Sequence, residues 1–251
     1  MRIDKKLYLL FSCLLCCSAV KAQNWQWEDD YEALHFMYTL QYVTSQYKVF
    51  PAADWQTPLQ ENGTAVSPPL SSMRSPVTSG FAVGLGVSKN ISDHAEIRLV
   101  PTLTLADRIL TYGYHSALEA TPEGVPDYYK DRKVKASLIE LPLSLKLKSD
   151  RRHNFGTYLA GGLKYSADLS SAKRNNDTEK VAFEKMLKNK KSYLSYEAGI
   201  GFDLYLKYFK LSPEIKYSSS LNNMLKQENN VFSEPIDRLM LRNVTFSLYI
   251  Q

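Results

Sequence analysis

Cysteine is absent from the sequence beyond residue 17. The three cysteines, Cys13, Cys16 and Cys17, all lie in one apolar N-terminal segment. Disulfide-rich folds and thiol chemistry are therefore excluded for the rest of the chain. Long apolar runs are missing as well, because no run after residue 22 approaches the roughly eighteen residues that a membrane-spanning helix needs. The sequence thus excludes a helical membrane protein.

Residues that commonly carry enzyme chemistry are sparse. The four histidines, His35, His94, His115 and His153, lie in separate segments without metal-ligand spacing. No glycine-rich phosphate loop precedes a helical pattern. The strongest catalytic candidates are Asp107, His115 and Ser116, which share one polar segment but show no pattern of an activated nucleophile and its base. We therefore predict no catalytic residue, no cofactor and no metal site.

The N-terminus has the layout of a secretory signal. Arg2, Lys5 and Lys6 precede an apolar core at residues 7–20, and Ala22 ends a signal-peptidase pattern. We predict a cleaved signal peptide at residues 1–22, a short periplasmic segment at 23–33 and one domain at 34–251. Lipid attachment at Cys13 is less favoured, because the bulky Phe11 precedes it.

The charge balance of the remaining chain excludes a nucleic-acid partner. The signal segment contains four of the 31 Lys and Arg residues and one of the 26 Asp and Glu residues, so the rest carries a net charge of +2. Such a small excess, without a basic stripe, does not suit a polyanion.

Alternation of apolar and polar residues predicts eight β-strands. The clearest segment places Ile139, Leu141, Leu143, Leu145 and Leu147 on one face. Pro142 on its other face cannot donate to a strand ladder, so we expect a bulge or a missing hydrogen bond there. The eight segments lie at residues 34–45, 81–88, 95–105, 139–148, 155–165, 196–204, 209–218 and 244–251.

The connections alternate strictly between long and short. Long ones lie at residues 51–79, 106–133, 170–192 and 219–238, and short ones at 89–94, 149–154 and 207–208. This pattern is typical of outer-membrane barrels with external loops and periplasmic turns. We predict an all-β fold: an eight-stranded antiparallel up-and-down transmembrane β-barrel with four long external loops and short periplasmic turns.

The apolar faces are expected to meet lipid, and the polar faces to fill the lumen. A soluble barrel would reverse this arrangement, but the glycines on the polar faces suit a crowded interior better than an exposed surface. Since eight strands leave room only for side chains, charges inside must pair with one another. We favour a packed ionic plug over a proton or ion path. The predicted lumen ionic network comprises Glu96, Arg98, Glu140, Lys146, Glu197, Asp203, Glu214 and Lys216.

The long connections are the expected contact surfaces. The first contains Trp55 and a proline-rich stretch at residues 67–70, and the third contains Lys185, Lys188, Lys190 and Lys191 in a segment that could form a short helix. These lysines favour an anionic partner such as lipopolysaccharide, although a solvated loop is equally consistent. We expect outer-membrane lipid, lipopolysaccharide and other proteins as partners, with no nucleic acid and no small-molecule substrate.

Four segments resemble the PorT family of outer-membrane barrels, which the type IX protein secretion machinery requires. The weakly specific one opens the fourth strand: Leu138-Ile139-Glu140-Leu141-Pro142-Leu143. The other three lie near the end of the chain: Pro213-Glu214-Ile215-Lys216-Tyr217, Leu221-Asn222-Asn223-Met224-Leu225 and Pro235-Ile236-Asp237-Arg238-Leu239. The resemblance extends from about residue 34 to residue 251.

The resemblance implies a non-enzymatic role in protein secretion, in the bacterial outer membrane, together with other machinery components. The candidate partner-contact residues are Leu221, Asn222, Asn223, Pro235, Ile236, Asp237 and Arg238; alternatively, they fold the loop over the barrel mouth. A different function is a free-standing small barrel for envelope integrity or adhesion. A third is an enzyme at the barrel rim.

Overall fold

The protein is built from antiparallel β-strands. The computed structural model describes residues 34–58, 60–61, 64–65, 67, 69–114, 128–169, 187, 189–227 and 232–251. Within these residues, no helix is long and apolar enough to cross a membrane. The twelve strands are β1 (Leu34–Pro51), β2 (Gln60–Glu61), β3 (Thr64–Ala65), β4 (Leu70–Arg74), β5 (Thr78–Ser92), β6 (Ala95–Leu99), β7 (Thr102–Tyr114), β8 (Tyr128–Lys148), β9 (Phe155–Asp168), β10 (Ser192–Tyr205), β11 (Lys210–Ser220) and β12 (Ile236–Ile250).

Strand pairing runs around a ring of eight wall positions. Each long strand pairs antiparallel with the next in the sequence, with β6 and β7 together filling one position. The ring is completed by β1, which pairs with β12 through Tyr38 and Ile250 and with β5 through Tyr38 and Leu85. The predicted eight-stranded antiparallel up-and-down barrel is therefore confirmed.

The outer surface carries a continuous apolar band. On β1 the exposed side chains include Phe36, Tyr38 and Leu40, whereas the intervening Met37 and Thr39 are buried. The band covers residues 34–42 on β1, 139–147 on β8 and 196–204 on β10. Each range matches the roughly nine to eleven residues that a tilted transmembrane strand needs. The predicted orientation, apolar side chains outward and polar side chains inward, is confirmed.

Several strands are longer than the sequence pattern predicts. β1 has 18 residues and β8 has 21, about twice what the membrane requires. Residues 106–114 and 128–133, which we expected in the second long loop, are strand. On β7 the prediction was wrong because the inner-facing side chains past Arg108, which are Leu110, Tyr112 and Tyr114, are apolar or aromatic and weaken the alternation. The barrel wall thus continues past the lipid-facing band on the side of the long loops.

The first long loop supplies part of this extended wall. β5 begins only at Thr78, so the upper part of β7 would otherwise be an open edge. β4 covers that edge, pairing Leu70 with Tyr114 and Arg74 with Thr111. The hydroxyl of Ser75 joins the pieces, accepting from the Tyr47 N–H at 2.9 Å and donating to the Ile109 carbonyl at 2.9 Å.

The third predicted strand is interrupted. β6 ends at Leu99 and β7 begins at Thr102, with Val100 and Pro101 between them. Pro142 of β8 lies opposite this gap, and its carbonyl accepts from the Val100 N–H at 3.3 Å. The register of β8 is the same on both sides of the gap, with Leu99 opposite Leu143 and Thr102 opposite Glu140. The strand is therefore interrupted next to Pro101 and Pro142, but the register is kept and no bulge forms.

Candidate functional site

The lumen is crossed by direct ion pairs. Arg98 on β6 and Glu214 on β11 occupy opposite positions in the ring of strands. Their side chains nevertheless meet, with Arg98 Nη2 at 2.7 Å from Glu214 Oε2 and with only 2% and 1% of the side chains exposed. The guanidinium also lies 4.9 Å from the ring centre of Tyr249 and 5.3 Å from that of Tyr158. One side chain thus spans the lumen and is enclosed by aromatic rings.

Glu214 links this pair to a second cation. Lys216 Nζ lies 3.5 Å from Glu214 Oε1 and 3.9 Å from Glu197 Oε1. It also donates to the Tyr249 hydroxyl at 2.7 Å, and that hydroxyl donates to Glu214 Oε1 at 3.4 Å. Together with Arg98 these side chains form one network of five groups, in which each charge faces at least one opposite charge or a hydroxyl.

A second group lies around Lys146. Its ammonium donates to both carboxylate oxygens of Asp203, at 2.8 Å and 2.7 Å, and lies 3.8 Å from Glu96. The ring centre of Tyr158 is 4.0 Å from the same nitrogen. Ser212 donates its hydroxyl to Asp203 at 2.5 Å. A lysine that is almost completely buried is thus stabilised by two carboxylates and a ring face.

A third group is centred on Glu140. Its carboxylate accepts from the Thr104 hydroxyl at 3.0 Å and from the Ser166 hydroxyl at 3.3 Å, and it pairs with Lys164 at 3.2 Å. Closer to the long loops, Arg108 donates to the Tyr193 hydroxyl at 3.1 Å. The interior therefore remains polar over several layers.

The structure brings the eight residues of the predicted lumen network onto the inner face and buries all of them. They form the groups around Glu214, Lys146 and Glu140 rather than one cluster. The prediction omitted Lys164, Arg108, Tyr158 and Tyr249. Lys164 was detectable, because it alternates with outward-facing Leu163 and Tyr165.

The buried charges are nearly balanced in number. Among the described residues, six carboxylates are buried (Glu96, Glu140, Asp168, Glu197, Asp203 and Glu214) with five bases (Arg98, Arg108, Lys146, Lys164 and Lys216). Lys148, which is 11% exposed, adds a sixth base at 3.9 Å from Glu96. Balance is required, since one unpaired buried charge costs several kcal/mol.

Above the ionic layers the lumen becomes apolar. Sixteen buried residues form one cluster, comprising Tyr47, Leu70, Leu110, Tyr112, Tyr114, Val134, Ala136, Leu138, Leu187, Tyr193, Met224, Leu225, Phe232, Ile236, Leu239 and Leu241. Strand residues form its wall, while Leu187, Met224, Leu225 and Phe232 come from the third and fourth long loops. We call these loop contributions the cap. The cap fills the mouth of the barrel from above.

Phe232 anchors the cap. It is fully buried, its ring centre lies 5.2 Å from that of Tyr112, and its carbonyl accepts from the Tyr112 hydroxyl at 2.6 Å. The Arg132 guanidinium lies 4.0 Å from its ring centre. The third and fourth loops are joined by an isolated antiparallel bridge between Asn189 and Leu225, and Asn189 also donates to the Tyr47 hydroxyl at 2.6 Å. The cap is therefore held by polar contacts as well as by packing.

The family comparison agrees with this architecture. Residues 59–226 match the model of the family described as "Outer membrane protein beta-barrel domain". The chain belongs to this family. It is therefore an outer-membrane β-barrel protein, and the apolar band described above faces the lipid of a bacterial outer membrane.

Solved structures of outer-membrane barrels are similar to this barrel protein in outline. Neisserial surface protein A is 9% identical and has a TM-score of 0.40, with 87% of this chain and 99% of that chain covered. OprG from Pseudomonas aeruginosa is 13% identical, with a TM-score of 0.38 and coverages of 88% and 98%. Such low values say nothing about function. Comparison with the curated proteins finds no significant match.

The candidate partner-contact residues of the barrel protein fall into two groups. Leu221, Asn222, Asp237 and Arg238 are exposed, whereas Ile236 is fully buried in the apolar cluster. Asn223 folds the loop instead: its carboxamide oxygen accepts from the N–H groups of Leu225 and Leu239 at 3.0 Å, and its nitrogen donates to the Asp237 carbonyl at 3.1 Å. The Pro235 carbonyl accepts from Ala52 N–H at 3.0 Å.

Other sequence predictions fall partly outside the described residues. The signal peptide and the segment at 23–33 lie outside them, as do His115, Ser116, Lys185 and Lys188. Asp107, the third rim candidate, pairs with Lys133 at 2.7 Å. In the first loop, Trp55 packs against the apolar cluster and Leu70 belongs to it. Among described residues, no group of His, Cys, Asp or Glu side chains is arranged to hold a metal ion.

Proposed function

We propose that this outer-membrane barrel is a non-enzymatic component of protein secretion that acts by contact with other proteins. The observation that carries the proposal is the Arg98–Glu214 pair, which crosses the lumen at 2.7 Å. An interior closed by ion pairs and by the cap is unsuited to conducting an unfolded or folded polypeptide. We therefore infer that the barrel acts through its outer surface and its loops rather than through its lumen.

The resemblance to the PorT family supports the type IX machinery as the setting. The motifs that carry it coincide with structural features: residues 213–217 provide Glu214 and Lys216 of the network, and residues 221–225 and 235–239 form the cap and its edges. The exposed edge residues Leu221, Asn222 and Asp237 are the proposed contact surface for other secretion components. Exposed side chains presented by a rigid, filled barrel suit protein recognition.

The test is quantitative proteomics of culture medium and periplasm after deletion of the gene. We expect proteins that carry the type IX export signal to accumulate in the periplasm and to return to the medium on complementation. An unchanged secreted set would overturn the secretion role. Leaky or non-adherent cells with normal secretion would instead identify the second function, a free-standing barrel for envelope integrity or adhesion.

A surface variant distinguishes contact from folding. Leu221→Ser with Asp237→Asn changes only exposed positions of the proposed contact surface, and we expect reduced secretion at an unchanged level of folded barrel. Thr44→Ser, on the exposed side of β1, is the matched control. Equal secretion by both variants would contradict the proposed contact surface while leaving the deletion result valid.

A further inference from the structure

Three basic side chains form a cluster on the outer face of the extended wall. Lys48 is on β1, and Arg238 and Arg242 are on β12. In the register, Phe50 is opposite Arg238 and Gln46 is opposite Arg242, so Lys48 lies diagonally between the two arginines. Diagonal neighbours on one face are about 7–8 Å apart. We call Lys48, Arg238 and Arg242 the basic triad.

The basic triad lies above the lipid-facing band and begins at its edge with Arg242. On β12, the last exposed apolar residue of the band is Val244, and Arg242 is the next outward-facing residue toward the long loops. On β1 the band ends at Tyr42, three outward positions before Lys48. Since an outer-membrane barrel presents its long loops to the exterior, this level corresponds to the headgroups of the outer leaflet.

The charges of the basic triad are not neutralised by the described part of the protein. None of its carboxylates lies within 4.0 Å of the three cations, including exposed Asp237 beside Arg238. Lys48 and Arg238 both lie near the ring of Phe50, at 4.5 Å and 5.8 Å from its centre. On another part of the wall, by contrast, outward-facing Lys133 is paired with Asp107.

We propose that the basic triad binds the phosphate groups of an anionic lipid in the outer leaflet. Guanidinium groups bind phosphate through paired N–H donors, and an ammonium between them adds a third positive charge. The apolar side chains below the triad would contact the acyl chains of the same lipid. The inference needs only the membrane placement of the barrel and is independent of its role in secretion.

The test uses the full-length protein in nanodiscs and bisphosphorylated lipid A as the probe, with binding measured by native mass spectrometry. The variant Lys48→Gln/Arg238→Gln/Arg242→Gln removes the triad, and Lys133→Gln removes a neutralised cation as the control. Each cation near an anionic surface contributes about fivefold, so we expect binding on the order of a hundredfold weaker for the triple variant. We expect less than a twofold change for Lys133→Gln.

Dephosphorylated lipid A separates headgroup recognition from acyl-chain packing. We expect it to bind the wild type and the triple variant equally weakly. The proposal is overturned if the triple variant binds bisphosphorylated lipid A like the wild type, if Lys133→Gln loses as much affinity, or if dephosphorylated lipid A binds the wild type as tightly as bisphosphorylated lipid A. A cold SDS gel-mobility assay on both variants verifies that the barrel is folded.

Discussion

Glu214→Gln is the most informative single change in the lumen. It removes one negative charge from a site where the side chain is 1% exposed, and it leaves Arg98 without a carboxylate partner. Breaking a buried ion pair by removing one partner costs about 3–5 kcal/mol, because the other charge stays buried. The rings of Tyr158 and Tyr249 offset part of this cost. We therefore expect a loss of about 3 kcal/mol in the free energy of unfolding.

The reverse change should cost less. In Arg98→Met, Glu214 retains Lys216 at 3.5 Å and the Tyr249 hydroxyl at 3.4 Å, so we expect a loss of about 2 kcal/mol. The double variant removes both charges, and its loss should be smaller than the sum of the single losses by about 1–3 kcal/mol. A surface control is Lys133→Gln, whose ion pair is half exposed and worth at most about 1 kcal/mol.

The assay is reversible urea unfolding of the barrel in lipid vesicles, followed by the gel mobility of folded and unfolded forms. Unfolding of Glu214→Gln at the same urea concentration as Lys133→Gln would refute the predicted loss of stability. Strict additivity of the two lumen substitutions would also contradict it, since the pair would then contribute no interaction energy.

Three further predictions concern the lumen, the cap and the lipid-facing surface. In Gly201→Val, the added Cβ meets the Tyr158 ring 2.5 Å away, so we expect a loss of about 1–3 kcal/mol in urea unfolding; Gly161→Ala, with its nearest atom at 3.8 Å, should change little. Phe232→Ala should make the fourth loop sensitive to protease without creating channel conductance in planar bilayers, because the ionic layers stay in place. Leu143→Arg on the lipid-facing side should lower the unfolding free energy by about 2–4 kcal/mol in vesicles.

Alternation along the strands is enough to predict the barrel and its orientation. Because successive side chains of a strand point to opposite faces, each residue can be assigned to the inner or the outer face. The pattern of β6 alone therefore places Glu96 and Arg98 inside the barrel. The family match and the observed ring of strands confirm that fold. Pro142 could be identified from the sequence as a break in the ladder, but the interruption at Val100 and Pro101 on the neighbouring strand could not.

The cap could not be predicted from the sequence. Tyr112 and Phe232 are 120 residues apart, and the residues around Phe232 show no alternation. The strand ends were missed for a related reason: near the long loops the inner face becomes apolar, as at Leu110, and the contrast between faces disappears. Which charges pair, as Glu140 does with Lys164, depends on the register between neighbouring strands. The alternation within a single strand carries no information about that register.

The proposed action by contact is tested most directly by measuring protein secretion while the two loops of the cap are cross-linked to each other. Asn189 and Leu225 form an isolated antiparallel bridge between the two loops, so cysteines at these positions are suitably placed for a disulfide. The natural cysteines, Cys13, Cys16 and Cys17, lie outside the described residues, so the described barrel contains no other thiol. The measurement is the amount of cargo in the medium from cells that carry only Asn189→Cys/Leu225→Cys, compared with each single variant and with reductant.

If the barrel acts by contact, cells with the fully cross-linked protein should secrete as much cargo as cells with either single variant. Loss of secretion in the cross-linked protein, restored by reductant, would show that the mouth must open and would contradict the account.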